Sequence, residues 1–223
     1  IRAKARMNEM RSRTYQEIQH LVHDLKSPLT VVQTLVGVFH LECEKDGQTE
    51  QVELLERVEN AVEQMSQMIS EILYQDKTTR ISVEKLLRRV SAQISIEDYA
   101  AFVHIEAAEP QANIRVNGIL FSRVLVNLVQ NAAHAARKDR ELNIMIRSDV
   151  NDTWVRFQVI DNGKGIPERK LEEIWGRGYS GSDSSGLGLF FVRDVVERLG
   201  GQVDLWSAEG KGTVITIKIP KED

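Results

Sequence analysis

The sequence predicts an α+β protein of two domains. The first is an antiparallel helical hairpin, which completes a four-helix bundle when two chains pair. The second is an α/β sandwich, a mixed sheet covered by helices on one face. Three observations predict this. Residues 1–76 hold one proline and two glycines, and their apolar spacing alternates between four and three. After residue 77 the texture changes to short β-rich stretches between amphipathic helical runs. A hydrophobic content of 42% over 223 residues suits packed cores in both parts.

From Ile18 the apolar positions run Ile18, Val22, Leu25, Leu29, Val32, Val36 and Phe39, the seam of a coiled coil or helical bundle. The polar break Glu44-Lys45-Asp46-Gly47-Gln48-Thr49 has the turn chemistry that lets a chain reverse. Leu55, Val58, Val62, Met65, Ile69 and Ile72 then repeat the pattern, so the two helices close as an antiparallel hairpin. Two helices bury only a narrow seam against each other, which predicts a homodimer through the hairpin. The first helix, from near residue 1 to residue 43, spans on the order of 65 Å at about 1.5 Å per residue. Its start, residues 1–15, reads as a connector entering from upstream. The chain begins at Ile1 inside a helix, and so reads as a piece of a longer protein.

The β-rich stretches are Phe102 to Ile105, Asn113 to Val116, Leu142 to Arg147, Thr153 to Ile160, Gln202 to Trp206 and Thr213 to Ile219. Helical patterns lie between them near 84–100, 118–137 and 187–199. Asp76-Lys77-Thr78-Thr79 is the natural boundary, giving domains 1–76 and 77–223.

A net charge of -4 gives no reason to expect a nucleic-acid partner. The early basic residues Arg2, Lys4, Arg6, Arg11 and Arg13 soon mix with acidic ones and read as a solvated helix face. Cys43 is the only cysteine, which excludes an intramolecular disulfide and a thiol-rich metal site and fits the reducing cytoplasm. No apolar run approaches the roughly 20 residues that span a bilayer, so membrane contact would come only through upstream segments.

His23 follows the seam residue Val22 by one position and so turns about 100° away from the core. Asp24 stands beside it. Pro28 removes the donor that would bond the Asp24 carbonyl, loosening the helix just past His23. Ser27 lies one turn on, over the same face. A carboxylate beside an exposed imidazole can hold one ring nitrogen protonated while the other attacks. An ordinary surface histidine fits the same residues. His20 has no acidic neighbour and no following proline, and reads as a surface or interface residue.

In the run 118–137, Phe121, Val124, Leu125, Leu128 and Ala132 form an apolar face, while Arg123, Asn127, Asn131, His134 and Lys138 line another. The amide oxygens of Asn127 and Asn131 are hard ligands suited to Mg²⁺; a plain polar face is the alternative. Asp161-Asn162-Gly163-Lys164-Gly165-Ile166-Pro167 follows a strand, where the acid can accept from an adenine amino group and the glycines allow close approach; a turn explains it as well. Ser185-Gly186-Leu187-Gly188-Leu189 opens a helix, a favourable phosphate cradle. Gly210-Lys211-Gly212-Thr213 leads into the final strand and reads equally as a hairpin turn.

The order and spacing of these boxes resemble the sensor histidine kinases of two-component systems. Their ATP-binding domain belongs to a superfamily shared with type II topoisomerase ATPases, mismatch-repair ATPases and a heat-shock chaperone. The resemblance implies a dimerisation and phosphotransfer hairpin at 1–76 and a catalytic ATP-binding domain at 77–223. It implies that His23 is phosphorylated from ATP with Asp24 as general base, and that Asn131 coordinates Mg²⁺ while Asn127 supports the phosphates. The ATP site would be completed by His134, Asp161, Gly163, Lys164, Gly165, Ile166, Ser185, Gly186, Leu187, Gly188, Leu189 and Thr213. The phosphoryl group would then pass to an aspartate of a response-regulator receiver domain.

Several positions depart from the family pattern. Ser27 stands where Thr or Asn commonly positions water for dephosphorylating the partner. Trp175 replaces a usual Phe, Ser184 a usual glycine, and His134 a frequent lysine. The segment of about 20 residues between Pro167 and Gly186 would be a flexible lid over ATP. The lysine often found shortly before the second glycine box is absent, Gly181, Ser182 and Asp183 standing there, so grip on the γ-phosphate falls to Arg177, Lys164 or serine hydroxyls. Two rival readings remain: a core that works mainly as a phosphatase of its partner, and an ATP-gated pseudokinase scaffold. The complete His23–Asp24 pair and both asparagines argue against the scaffold.

Overall fold

The computed structural model describes residues 78–171, 173–175 and 188–222, together with positions between 25 and 69, of which 28–40 is the longest run. The chain divides into two compact units, residues 1–75 and 76–223.

Every described residue between 25 and 69 is helical. Gln33 Nε2 donates to Ser66 Oγ at 3.3 Å, tying the run before the polar break to the run after it. The buried residues Val36 and Val62 lie one turn from that bond, each on the side nearer the break, the sense of an antiparallel pair. Other seam residues stay in water: Leu25, Val32, Phe39 and Met65 are all exposed in the single chain. No helix among the described residues is long and apolar enough to cross a membrane.

The second unit runs β1 (Thr79–Ser82), α1 (Val83–Ile94), β2 (Val103–Ala107), β3 (Asn113–Val116), α2 (Gly118–His134), β4 (Ile144–Val150), β5 (Trp154–Asp161), α3 (Gly188–Arg198), β6 (Gln202–Ala208) and β7 (Gly212–Glu222). The seven strands form one mixed sheet, ordered β1-β3-β7-β5-β4-β2 with β6 also paired to β7. Among the described residues only β2 and β4 run parallel; the other pairs are antiparallel. One edge of β7 meets β5 from Thr213 to Pro220, while the other meets β6 up to Lys218 and then β3 at Lys221 and Glu222.

The core lies between the three helices and one face of the sheet. Alternate residues of the central strands, Val155, Phe157 and Val159 on β5 and Ile215, Ile217 and Ile219 on β7, are buried there. Against them α2 packs Phe121, Val124, Leu125 and Leu128, with Phe121 and Phe157 edge to face at 5.5 Å. Asn117 caps α2, its side-chain oxygen accepting from Ile119 N and Leu120 N. Ser82 Oγ caps α1 by accepting from Lys85 N.

Four expectations from sequence are corrected. The helix expected near 84–100 ends at Ile94, where the Ser95 hydroxyl donates to the Ala92 carbonyl and competes with the next helical bond. The helix expected to reach residue 137 ends at His134, because the Ala135 carbonyl accepts from Lys164 N of a distant turn. Lys138 is therefore not on the asparagine face. The strand expected from Leu142 starts at Ile144, since the Asn162 side chain occupies the Glu141 carbonyl and the Asn143 N–H. Strand β1, at the domain boundary, was not expected; it exists through its pairing with β3.

Candidate functional site

Directly paired residues of neighbouring strands share a face. On the helix-covered face successive rungs read Ser148–Phe157–Ile217–Val203, then Ile146–Val159–Ile215–Leu205, across β4, β5, β7 and β6. The next rung is Ile144–Asp161–Thr213–Ser207. The apolar face thus ends in an acid and two hydroxyls at one end of the sheet.

Asp161 Oδ1 accepts from Gly163 N at 2.8 Å and from Thr213 N at 3.2 Å. Its other oxygen meets no donor among the described residues. Burial pushes the carboxyl above its ordinary pKa, and the two N–H bonds offset part of that rise. Ser207 Oγ accepts from Ile166 N at 2.8 Å, donates to Gly212 O at 2.9 Å and lies 2.9 Å from Thr213 Oγ1.

The turn after Asp161 is held from both sides. Lys164 N donates to Ala135 O at 2.8 Å and Lys164 O accepts from Gly210 N at 2.7 Å, while Arg137 Nη1 reaches Gly210 O at 3.0 Å. Gly165 sits at φ +67°, and a Cβ there would overlap the Ala208 carbonyl. The Lys164 side chain is exposed and Ile166 is half-buried.

On α2, Asn131 Nδ2 donates to Asn127 Oδ1 at 3.3 Å, so the two amides form a unit. Gly188, the first residue of α3, lies against that unit: a Cβ on it would stand 2.7 Å from Asn127 Oδ1. Asn131 Oδ1 accepts from no described residue, which leaves one hard oxygen for a cation. No group of three or more His, Cys, Asp or Glu that could cage a metal occurs among the described residues. That donor set fits Mg²⁺, which keeps waters and takes much of its coordination from substrate phosphates.

The structure thus brings Asp161, Gly163, Thr213 and Ile166 together, and separately Asn127, Asn131 and Gly188. His134 is exposed at the last turn of α2, and Leu189 packs on the core. His23, Asp24, Ser27, Arg177, Ser185, Gly186 and Leu187 lie outside the described residues. The expected lid opens with two 3₁₀ turns, Glu168–Lys170 and Glu173–Trp175, the second anchored by buried Ile174. Trp175 is half-buried.

Three residues of this site escaped sequence reasoning. Ser207 had a signal: it is a polar residue at the inward parity set by Val203 and Leu205. Asn162 and Arg137 act on backbone groups distant in sequence, which no local pattern reveals.

Two family models match the chain. One, "His Kinase A (phospho-acceptor) domain", covers residues 15–79. The other, "Histidine kinase-, DNA gyrase B-, and HSP90-like ATPase", covers residues 117–223. Sensor histidine kinase ZraS of Klebsiella oxytoca is 29% identical over 208 residues, covering 90% of this chain and 44% of its own length. Sensor protein CreC of Escherichia coli (strain K12) is 26% identical over 220 residues, covering 92% of this chain and 45% of its own. The chain therefore spans less than half the length of these relatives. Among solved structures, the catalytic domain of histidine kinase ThkA aligns with a TM-score of 0.57 at 26% identity, covering 65% of this chain and 97% of that one. Full-length ShkA in complex with AMPPNP aligns with a TM-score of 0.62 over 92% of this chain and 46% of that one; at 19% identity it speaks for the fold alone.

Proposed function

The chain belongs to the sensor histidine kinases of two-component systems, and from that premise we propose that it moves the γ-phosphoryl group of ATP onto its own His23, then to an aspartate of a response-regulator receiver domain. One observation carries the nucleotide half of this reading: the Asp161 carboxylate has one oxygen committed to Gly163 and Thr213 and the other met by no described donor. Such an acceptor, at the end of a hydrophobic sheet face, suits an exocyclic amino group on a flat apolar base.

Asn127 and Asn131 would support the phosphates, and Asn131 would offer one oxygen to Mg²⁺. When bound, Mg²⁺ offsets the charge that develops on the phosphate oxygens. The backbone donors at the start of α3, which Gly188 brings against Asn127, favour the same anion. Arg177, Lys164 and the Ser185-Gly186-Leu187 stretch complete the grip. One ring nitrogen of His23 bonds the γ-phosphorus as the bond to the ADP oxygen breaks, while Asp24 holds the opposite N–H. Ser27 positions water for hydrolysis of the phosphorylated regulator.

The exposed seam residues Leu25, Val32, Phe39 and Met65 support a homodimer through the hairpin. The lone cysteine and the use of ATP favour a cytoplasmic setting. Incubation with γ-labelled ATP tests the proposal. Label should enter the chain, be released by acid, and be missing from His23→Ala; label retained in that variant contradicts the assignment.

A further inference from the structure

We infer that Ser207 is a positioning residue for base selection: it fixes the Thr213 hydroxyl as a hydrogen-bond acceptor, biasing the pocket toward 6-amino over 6-oxo purines. The inference rests on the reading of Asp161 as the base acceptor.

A hydroxyl carries one hydrogen and two acceptor lone pairs. The Ser207 hydrogen goes to Gly212 O at 2.9 Å, and Ile166 N occupies one Ser207 lone pair at 2.8 Å. The remaining close contact, Thr213 Oγ1 at 2.9 Å, must then be a bond in which Thr213 donates and Ser207 accepts. The alternative, Ser207 donating to Thr213, would take the donor away from the Gly212 carbonyl. Thr213 Oγ1 therefore offers only lone pairs to anything beside it.

Asp161 stands next to Thr213 on the same rung and also offers only lone pairs. Two neighbouring acceptors match an amino group, which has two hydrogens to give. A 6-oxo group, itself an acceptor, would meet both in opposition. Without the Ser207 oxygen, the Thr213 hydroxyl can rotate and give its hydrogen to a carbonyl. The Ser207 hydroxyl has its hydrogen and both lone pairs committed to protein groups, Gly212 O, Ile166 N and Thr213 Oγ1, and so acts through Thr213 rather than by touching the base.

The test measures affinities of the full chain for Mg–ATP and Mg–GTP by competition with a fluorescent ATP analogue. In Ser207→Ala the ratio favouring ATP should fall on the order of tenfold, mainly through improved relative binding of GTP. In a Thr213→Val background, which keeps the backbone bond to Asp161, Ser207→Ala should change that ratio no further. Equal weakening of both nucleotides, or the same change in both backgrounds, would show a merely structural role and overturn the inference. If Ser207→Ala does not unfold cooperatively, Ser207→Cys carries the comparison, its weak thiol predicting a smaller fall in the same direction. Asp161→Asn separates the two claims. If it keeps full ATP affinity, the underlying site reading fails; if it loses affinity while Ser207→Ala keeps the wild-type ratio, this inference alone fails.

Discussion

Thr213 gives its backbone N–H to the Asp161 carboxylate at 3.2 Å and stands directly opposite it across β5 and β7. The acid is thereby held by a strand residue 52 positions away in sequence, not merely by its own turn. Asn at 161 can still accept both backbone donors through Oδ1, but it turns an amide donor toward the base. Asp161→Asn should weaken ATP binding by about 1.5–3 kcal/mol, roughly ten- to a hundred-fold, with the thermal midpoint little changed. Calorimetric titration with Mg–ATP checks this, and unchanged affinity contradicts it.

The same carboxyl gives the unfolding free energy a pH dependence. Burial raises its folded pKa above the ordinary value of 3.8, so the folded chain holds this proton more readily than the unfolded chain. That contribution to stability is complete below 3.8 and is lost as pH rises through the raised value. The stability of the wild type relative to Asp161→Asn should therefore fall as pH rises through this window and then level. Denaturant melts at a series of pH values would reveal it; a rising difference has the wrong sign.

Gly188 leaves no room for a side chain beside Asn127. In Gly188→Ala the new methyl group would lie 2.7 Å from Asn127 Oδ1 and 3.1 Å from Nδ2, forcing that amide and its partner Asn131 to shift. Initial labelling rates with γ-labelled ATP should fall on the order of tenfold. A rate equal to the wild type would place the asparagine pair outside the chemistry.

In the hairpin, Phe39 is 55% exposed although it lies on the apolar seam. A charge there would oppose burial against a second chain. Phe39→Glu should convert a dimer to a monomer in sedimentation equilibrium at micromolar concentration, with helical content largely kept. A dimer of unchanged strength would move the interface elsewhere.

The fold was legible where residues repeat at a period. The four-and-three spacing through Val36 and Val62 announced helices, and the alternation in β5 and β7 announced strands with one buried face. The ends of elements were not legible, because distant groups decide them: the Lys164 N–H captures Ala135 O at the end of α2, and the Asn162 side chain caps the start of β4. Strand β1 has only four residues and gains its identity from β3. In the candidate site, the glycines around Asp161 marked a turn, and the structure adds what that turn is tied to. Ser207 carried a parity signal, but its bonds to Ile166, Gly212 and Thr213 depend on a register that only the folded sheet supplies.

Locating the phosphate itself tests the assignment of His23 most sharply. After reaction with Mg–ATP, the chain is digested at neutral pH, where a phosphoramidate survives, and the peptides are sequenced by fragmentation mass spectrometry. Phosphate on the imidazole of His23, strongly reduced when Asp161→Asn is treated alike at limiting Mg–ATP, is the predicted result. Phosphate on any other residue, or equal phosphorylation of His23 in the Asp161→Asn chain, would contradict it.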